Sequence, residues 1–596
     1  MPPISDDPAA SPLRIEGPEQ SLVDLEYPDG GLAPAIGVHN FQVFRASRDR
    51  PDLADGLGYT FSHHVDMCCW RGRLYVAWNS CQKDEDTWPS RELYSTSTDG
   101  ASWSPPSELF PQGVSMPLRM YFYHSSNDRM LVLGGLRTIE GQIDETSKGS
   151  LVVRQIGIDH AMGPVYLLRP PAMSPARALP PLYTQADDES FIEACAKLLD
   201  NRPFLEQQDY GALLGPRRMK WHQGSSWPGG TMPWVASPMW VFGKGMSFFH
   251  RRDGALVGIS KMGFVTVSKD QGQTWFQPVV PLTLVIGSAK CWPQRTSDGR
   301  YALVYNPSHK QRYPLAVVSG DDGVSFGDLC AVHGEVPIRR YVGAAKSLGP
   351  QYVRGISEWS SDGSRKDDAL WVVYSVNKED IWVARIPVPI RPDASDGPSL
   401  GLEDMATGSF LPGWNVYSPK WARVSLAESP DGGGKCLRLE DGDPYDYARA
   451  TCVFPPAGRV NVSFDVLVKT PRNGSLEIEL LGSRAHVRPV RVMLSEDGRV
   501  HAVNGDQAAD IAPCPAGRWM AVALDADTAA GKFSLGLDGQ GVLHDAAFAH
   551  PADALRQLSF RTGACRAVGG AQPVPAETDC PVEPAVFDIR NLRIRR

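Results

Sequence analysis

Three short segments of this 596-residue chain carry side chains able to move protons on a bound molecule. Phe61-Ser-His63-His64-Val-Asp66 sets two adjacent imidazoles beside an acid, Met120-Tyr-Phe-Tyr123-His124 joins a phenol to a third imidazole, and Tyr305-Asn-Pro-Ser-His309 ends in another. Imidazole titrates near neutrality and can serve as base or acid. Arginine supplies the complementary half, because its planar guanidinium grips a carboxylate at two points. Arg119, Arg137, Arg217, Arg218, Arg295 and Arg312 are the candidates, and Arg217 and Arg218 stand out because Lys220, an aromatic and His222 follow within five residues. Together these types suit proton transfer on a carboxylated ligand. His63, His64, Tyr123 and His124 are the acid–base candidates, and Arg137, Arg217, Arg218, His222, His309 and Arg312 the binding candidates. The plain alternative is a core histidine or a surface ion pair, and it holds for most single residues of these kinds.

Metal chemistry has weaker support. His63, His64, Cys68, Cys69 and Cys81 could offer zinc ligands, yet their spacing matches no familiar finger and adjacent ligands rarely converge on one ion. No cofactor is expected to be required. A structural calcium or zinc ion is the most that the pattern allows, and the site is expected to hold no catalytic metal.

The elements that must position these residues are strands. Arg73–Trp78, Met130–Leu133, Ala255–Ile259, Tyr301–Tyr305 and Leu370–Ser375 are short runs rich in β-branched and aromatic residues, several following Asp-Gly turns. With 57 Gly, 50 Pro and 21% charged residues, the composition is that of a turn-rich all-β protein too long for one ordinary core. One segment breaks the pattern. In Asp187–Asn201, Phe191, Ile192, Cys195, Leu198 and Leu199 share a helical face, which predicts a helix inserted among the strands and packed beside the site, bringing Arg217 and Arg218 with it. The net charge of −8 argues against a nucleic-acid partner, and no run is apolar enough for a membrane-spanning helix. Eleven scattered cysteines read mostly as free core thiols. The first twenty residues lack a basic segment followed by an apolar one, so as written the chain reads as unexported; a removed signal would make it secreted or periplasmic, and localisation stays open.

Repetition narrows the fold. Ser268-Lys-Asp270-Gln-Gly272-Gln-Thr-Trp275 recurs 51 residues later as Ser319-Gly-Asp321-Asp-Gly323-Val-Ser-Phe326, with a degraded copy at Thr96–Trp103 where Thr98 stands at the Asp position. The motif resembles the Asp-box of sialidase-like propellers, whose acid caps a hairpin turn and whose aromatic packs between blades. The expected fold is an all-β Asp-box β-propeller, seven-bladed from the motif spacing, followed by a jelly-roll or laminin-G-like β-sandwich. The expected divisions are an N-terminal extension at 1–21, the propeller at 22–390 with a helical insertion near 187–201, a linker at 391–408 and the sandwich at 409–596, where Val460–Val466 and Ser475–Leu480 alternate with period two.

Five segments taken together carry a narrower likeness: Phe61–Asp66, Arg119–His124, Tyr301–Pro307, Arg312–Val318 and Tyr374–Val383. They resemble propeller polysaccharide lyases of the L-rhamnose-α-1,4-D-glucuronate lyase type. That resemblance implies β-elimination on a uronate-containing oligo- or polysaccharide, with release of terminal rhamnose. A base removes the C5 proton, a cation neutralises the carboxylate, and a second group protonates the leaving oxygen. A sialidase would bring instead an arginine triad, a Tyr/Glu nucleophilic couple and an acid Asp. Its Arg-Ile-Pro segment is expected near the N-terminus, but here Arg385-Ile386-Pro387 falls at the end of the propeller region. A hydrolase of that type and a non-catalytic glycan-binding propeller are the alternatives.

Overall fold

The computed structural model describes residues 4–5, 12–17, 23–85, 87, 89–111, 120–136, 138–139, 142–143, 150–170, 179–207, 245–276, 278–365, 367–394, 401–402, 405–408, 410–470, 473–566 and 579–596. It is built almost wholly from antiparallel strands. The N-terminal strand β1 (His39–Phe44) is followed by β2 (Phe61–Trp70), β3 (Arg73–Cys81) and β4 (Ser90–Ser97), which form one sheet with Ser107–Glu108. A second sheet holds β5 (Tyr121–Ser125), β6 (Arg129–Leu136), β7 (Ser150–Ile156) and β8 (Tyr166–Arg169). After helices α1 (Glu189–Asp200) and α2 (Arg202–Gln207) comes a third, β9 (Ser247–His250), β10 (Leu256–Ile259) and β11 (Val265–Ser268). A fourth contains β12 (Trp292–Arg295), β13 (Tyr301–Tyr305), β14 (Leu315–Gly320) and β15 (Ser325–His333). Last come β16 (Pro350–Gly355), β17 (Ala369–Val376) and β18 (Asp380–Pro387), and β1 returns to pair with β18 and complete their array.

The propeller architecture is therefore present, but the described residues do not form seven blades. The described residues form four free-standing blade sheets and this fifth array, which runs on into the C-terminal domain. The 51-residue repeat measured the distance between two adjacent blades; extrapolating it over the region counted residues that serve other purposes, among them the helical segment. The expected N-terminal extension is also partly built in, since Arg14–Ile15 pairs with Ser325–Phe326 and Leu13 and Ile15 are buried in the cluster with Tyr301, Leu303 and Phe326.

Helix α1 starts where expected, with the Asp188 carboxylate accepting from the Ser190 and Phe191 amides. Its apolar face, Phe191, Ala194, Cys195 and Leu198, packs with Tyr121, Tyr123, Leu131 and Leu133 of β5 and β6, while the Gln207 side chain of α2 accepts from the Phe248 amide of β9. The helices thus wedge between the second and third sheets.

All three Asp-box turns form. In the first, Asp270 accepts from the Thr274 amide at 2.8 Å, Gly272 takes φ +80°, and Trp275 is buried against Phe248. In the other two the capping acid sits one residue later. Asp322 accepts from the Val324 and Ser325 amides, and Asp99 from those of Ala101 and Ser102. Asp321 instead pairs with Arg300, so the copy that looked degraded at Thr98 is a complete turn.

The C-terminal domain packs two sheets. One is Ala422–Glu428, Lys435–Asp441, Ala585–Arg595, Arg459–Val468, Trp519–Asp527, Lys532–Leu537 and Gln540–Ala547. The other begins with β19 (Trp414–Ser418), which pairs in parallel with β1 and so joins the two domains in one eleven-stranded sheet. Val460, Val462, Phe464 and Val466 alternate into the sandwich core, which also holds Trp414, Ile478 and Phe560. A buried ionic cluster adds a second tie: Asp579 takes hydrogen bonds from Arg45, Arg340 and the Tyr341 hydroxyl. All eleven cysteines are thiols outside any disulfide, eight of them buried.

Candidate functional site

Strand registers decide which end of the propeller can carry chemistry. Trp70 pairs with Arg73 and Leu74 with Ser97, so the turn after β2 and the Asp-box after β4 lie at one end. Phe61 pairs with Cys81 and Cys81 with Ser90, which puts the start of β2 and residues 82–85 at the other end. By the same logic the segment before β12, the loop 306–314 after β13, the start of β16 and the turn 377–379 share this second face, because Trp292 faces Val304 and Pro350 faces Val376.

Two β-bulges shape its centre. The pairing of β2 with β3 slips between His63 and Asp66, and that of β16 with β17 between Gln351 and Arg354. At each slip a residue other than glycine takes positive φ: His64 at 52° and Tyr352 at 58°. Bulges re-aim side chains, and left-handed backbone at bulky residues stores strain that the surrounding sheet must hold. Here the two bulges face one another. The Tyr352 ring lies 4.4 Å from His63 and meets His64 edge-on at 5.9 Å.

Cations surround this aromatic trio. The Arg312 guanidinium sits over the Tyr352 ring at 5.0 Å, fixed by donation to the Gln351 side chain at 2.7 Å, and the Lys290 ammonium lies 5.9 Å from the same ring. Lys378 reaches Glu85 at 3.1 Å, and the other Glu85 oxygen is 3.1 Å from His64 Nε2. These partners hold the Glu85 carboxyl down at about 2, the bond to His64 weighing most. His63 is fully buried. Its Nδ1 is 2.6 Å from the Ser375 hydroxyl, and its Nε2 has no hydrogen-bond partner among the described residues. Burial, followed by the charges of Lys378, His64, Arg312 and Lys290, drives its imidazole well below the usual range, so it stays neutral. Beneath it, Asp66 accepts from the Phe122 amide and is pushed up to about 7 by burial. Three cations gathered here can bind an anion, and His64 and Tyr352, set against the neutral His63 ring, can exchange a proton beside it.

Of the residues expected from sequence, His63, His64 and Arg312 meet here, and exposed His309 lies on the loop with Arg312. Tyr123 and His124 do not join them. Tyr123 is buried against Phe204 of α2, and His124 bonds Asp128 in the turn after β5, beside Trp70 at the Asp-box end. Trp70 is seven residues along β2 from His63, roughly 20 Å at the rise of a strand. The aromatic-rich setting that suggested a strand end was correct, but it was the opposite end. Helix α1 is likewise anchored away from the site, through Asn127 and Arg129 of that turn. Arg137, Arg217, Arg218 and His222 lie outside the described residues. The zinc candidates disperse along β2 and β3, and no group of three or more metal-binding side chains occurs among the described residues. Tyr352, Glu85, Lys290 and Lys378 escaped notice. A bulge brings in Tyr352, and the loop after β3, the segment before β12 and the turn 377–379 bring in Glu85, Lys290 and Lys378; neither leaves a composition signal.

Comparison with known proteins agrees with this architecture. Residues 13–117 and 113–210 match the profile of the BT_1020-like N-terminal β-propeller, and residues 414–576 that of the sialidase-like CBM domain. A solved structure named "Sialidase" is similar over 98% of this chain at 30% identity and TM-score 0.84; the chain spans about half of that protein, 54%. Trypanosoma rangeli sialidase in complex with sialic acid, at 11% identity and TM-score 0.30, aligns over 89% of this chain and 91% of its own. No curated protein matches. The chain thus has a sialidase-like β-propeller fold followed by a C-terminal domain similar to the sialidase-like CBM domain.

Proposed function

We propose that the cleft between β2 and β16 cleaves a glycosidic bond to a uronic acid by β-elimination, acting on a glycan end such as rhamnosyl-glucuronate. The observation that carries this reading is the meeting of neutral His63, His64 and Tyr352 with Arg312, Lys290 and Lys378. The cations, Arg312 foremost, neutralise the sugar carboxylate and so acidify the neighbouring C5 proton. The His64 imidazole or the Tyr352 phenolate removes that proton, and the other, in its protonated form, gives one to the leaving oxygen, while neutral His63 packs behind the Tyr352 ring. The reading needs no cofactor, and the C-terminal domain adds affinity for the same glycan.

A sialidase-like hydrolase is the second reading. It is favoured by the likeness to the structure named "Sialidase" and by the contact of Tyr352 with Arg312, which fits a tyrosine nucleophile beside a carboxylate clamp. Against it, Glu85, which bonds His64, is held ionised at about 2 and is poorly suited to donate a proton, and Asp66, raised to about 7, is buried on the Phe122 amide. The test is a panel of glycans whose uronate carries a terminal sugar at O4, incubated in ¹⁸O water and followed by the ultraviolet absorbance of a conjugated double bond. An unsaturated product without ¹⁸O supports elimination. A saturated product carrying ¹⁸O at the new reducing end overturns it in favour of hydrolysis. His64→Ala and Tyr352→Phe are each expected to lower kcat by about two to four orders of magnitude. His124→Ala, at the far end of the propeller, is expected to keep full activity.

A further inference from the structure

A cavity of about 310 Å³ lies where the two domains meet, and none of its lining residues belongs to the site of His63 and Tyr352. Three parts of the chain wall it: the segment Glu26–Asp29, the end of β15 with Glu335, and the inner sheet of the C-terminal domain with Arg449, Arg561 and Arg566. The volume is that of a small-ligand pocket. One wall is a flat platform, the Tyr27 ring stacked on His486 with centroids 3.7 Å apart and planes 12° from parallel.

The polar lining is only partly satisfied. Arg561 reaches Glu477 and Glu479 through Nη2, Arg449 pairs with Glu335, and Arg566 with Asp446, so each carboxylate facing these arginines is occupied. Donors are left over. Arg561 Nη1, Arg566 Nη1 and Arg449 Nε are buried and have no acceptor among the described residues, and the Arg561 side chain is only 2% exposed. A buried N–H without an acceptor costs about 1–3 kcal/mol, so a small turn of these arginines, which line the cavity, toward a ligand rich in acceptors would be favourable. A flat aromatic wall facing guanidinium donors suits a sugar ring that bears a carboxylate: the ring stacks, and the carboxylate and hydroxyls accept.

We infer that this interdomain pocket is a second glycan site that binds a carboxylated sugar residue, the propeller and the C-terminal domain each supplying one wall. It holds whichever reaction the first cleft performs. The test is calorimetric titration of the full chain carrying Arg312→Ala, which disables the first cleft, with D-glucuronate and with D-glucose as the uncharged control. One glucuronate is expected to bind per chain, and glucose at least tenfold more weakly. Arg566→Gln should weaken glucuronate binding at least tenfold. His486→Ala, at the accessible platform and outside the buried ion pairs, should do the same and serves where Arg566→Gln fails to fold. Loss of all glucuronate binding in Arg312→Ala alone, unchanged affinity in His486→Ala, or equal binding of glucose would each overturn the proposal.

Discussion

Glu85 offers a test of the first cleft that does not depend on knowing its substrate. Glu85→Gln keeps the shape of the side chain but removes the charge shared by His64 and Lys378. A carboxyl held at about 2 instead of 4.5 has its ionised form favoured by roughly 3 kcal/mol. The side chain is 31% exposed, so solvent screening brings the net effect on stability to about 1–2 kcal/mol. Because the folded-state value is depressed, this contribution is complete above the unfolded value near 4.5 and fades as the pH falls towards 2. The assay is urea denaturation of parent and variant, followed by tryptophan fluorescence at pH 7, 5 and 3. The midpoints should differ at pH 7 and 5 and draw together at pH 3. Equal midpoints at pH 7, or a gap that widens on acidification, would refute the pairing. Activity gives a second reading: with His64 no longer held by a carboxylate, kcat should fall by about tenfold or more while the fold persists.

Further expectations concern the frame around the site. Asp579→Ala leaves Arg45 and Arg340 buried without their shared partner, and should cost about 3–5 kcal/mol, seen as an early thermal transition. Gly100→Ala would drive its Cβ to 2.1 Å from the Trp371 ring at φ +84° and should destabilise by over about 2 kcal/mol; Gly363→Ala, at φ +71° with nothing within 4 Å, should cost only about 1 kcal/mol. His39 and His333 are pushed down to about 4 and about 3 by burial, so below pH 6.5 the unfolded chain takes up protons the native one refuses, at up to about 1.4 kcal/mol per pH unit each. Asp66 and Asp441, raised by burial to about 7, act in the opposite sense. The readout is therefore the difference between parent and His39→Asn in denaturation midpoint, which should narrow from pH 7 to pH 4 if the buried imidazole is the cause.

Strands, the α1 helix and the Asp-box turns were legible because they rest on local physics: β-branched runs, a helical apolar face and turn residues that cap their own backbone. The blade count was not, since it depends on what fills the space between motifs. The site was half legible. His63 and His64 sit in a segment whose residue types announce them, but Tyr352 is an ordinary residue of a strand until a register slip turns it. His124 misled for a related reason. Residue type marks a strand end, while only pairing says which end, and the hairpin at 125–129 sends it to the face of the Asp-boxes.

The pairing of β1 has a consequence for the time course of synthesis. This strand leaves the ribosome early, yet its antiparallel partner β18 follows about 340 residues later and its parallel partner β19 later still. At 5–20 residues per second the wait is roughly 20–70 s. Throughout it, His39–Phe44, six residues that end up buried, has both hydrogen-bonding edges open while the blades between are already being assembled. The ring therefore closes only when the first strand is captured between the last blade and the start of the C-terminal domain. A chain released before Ser418 would keep one edge of that strand bare, ready to pair with another molecule.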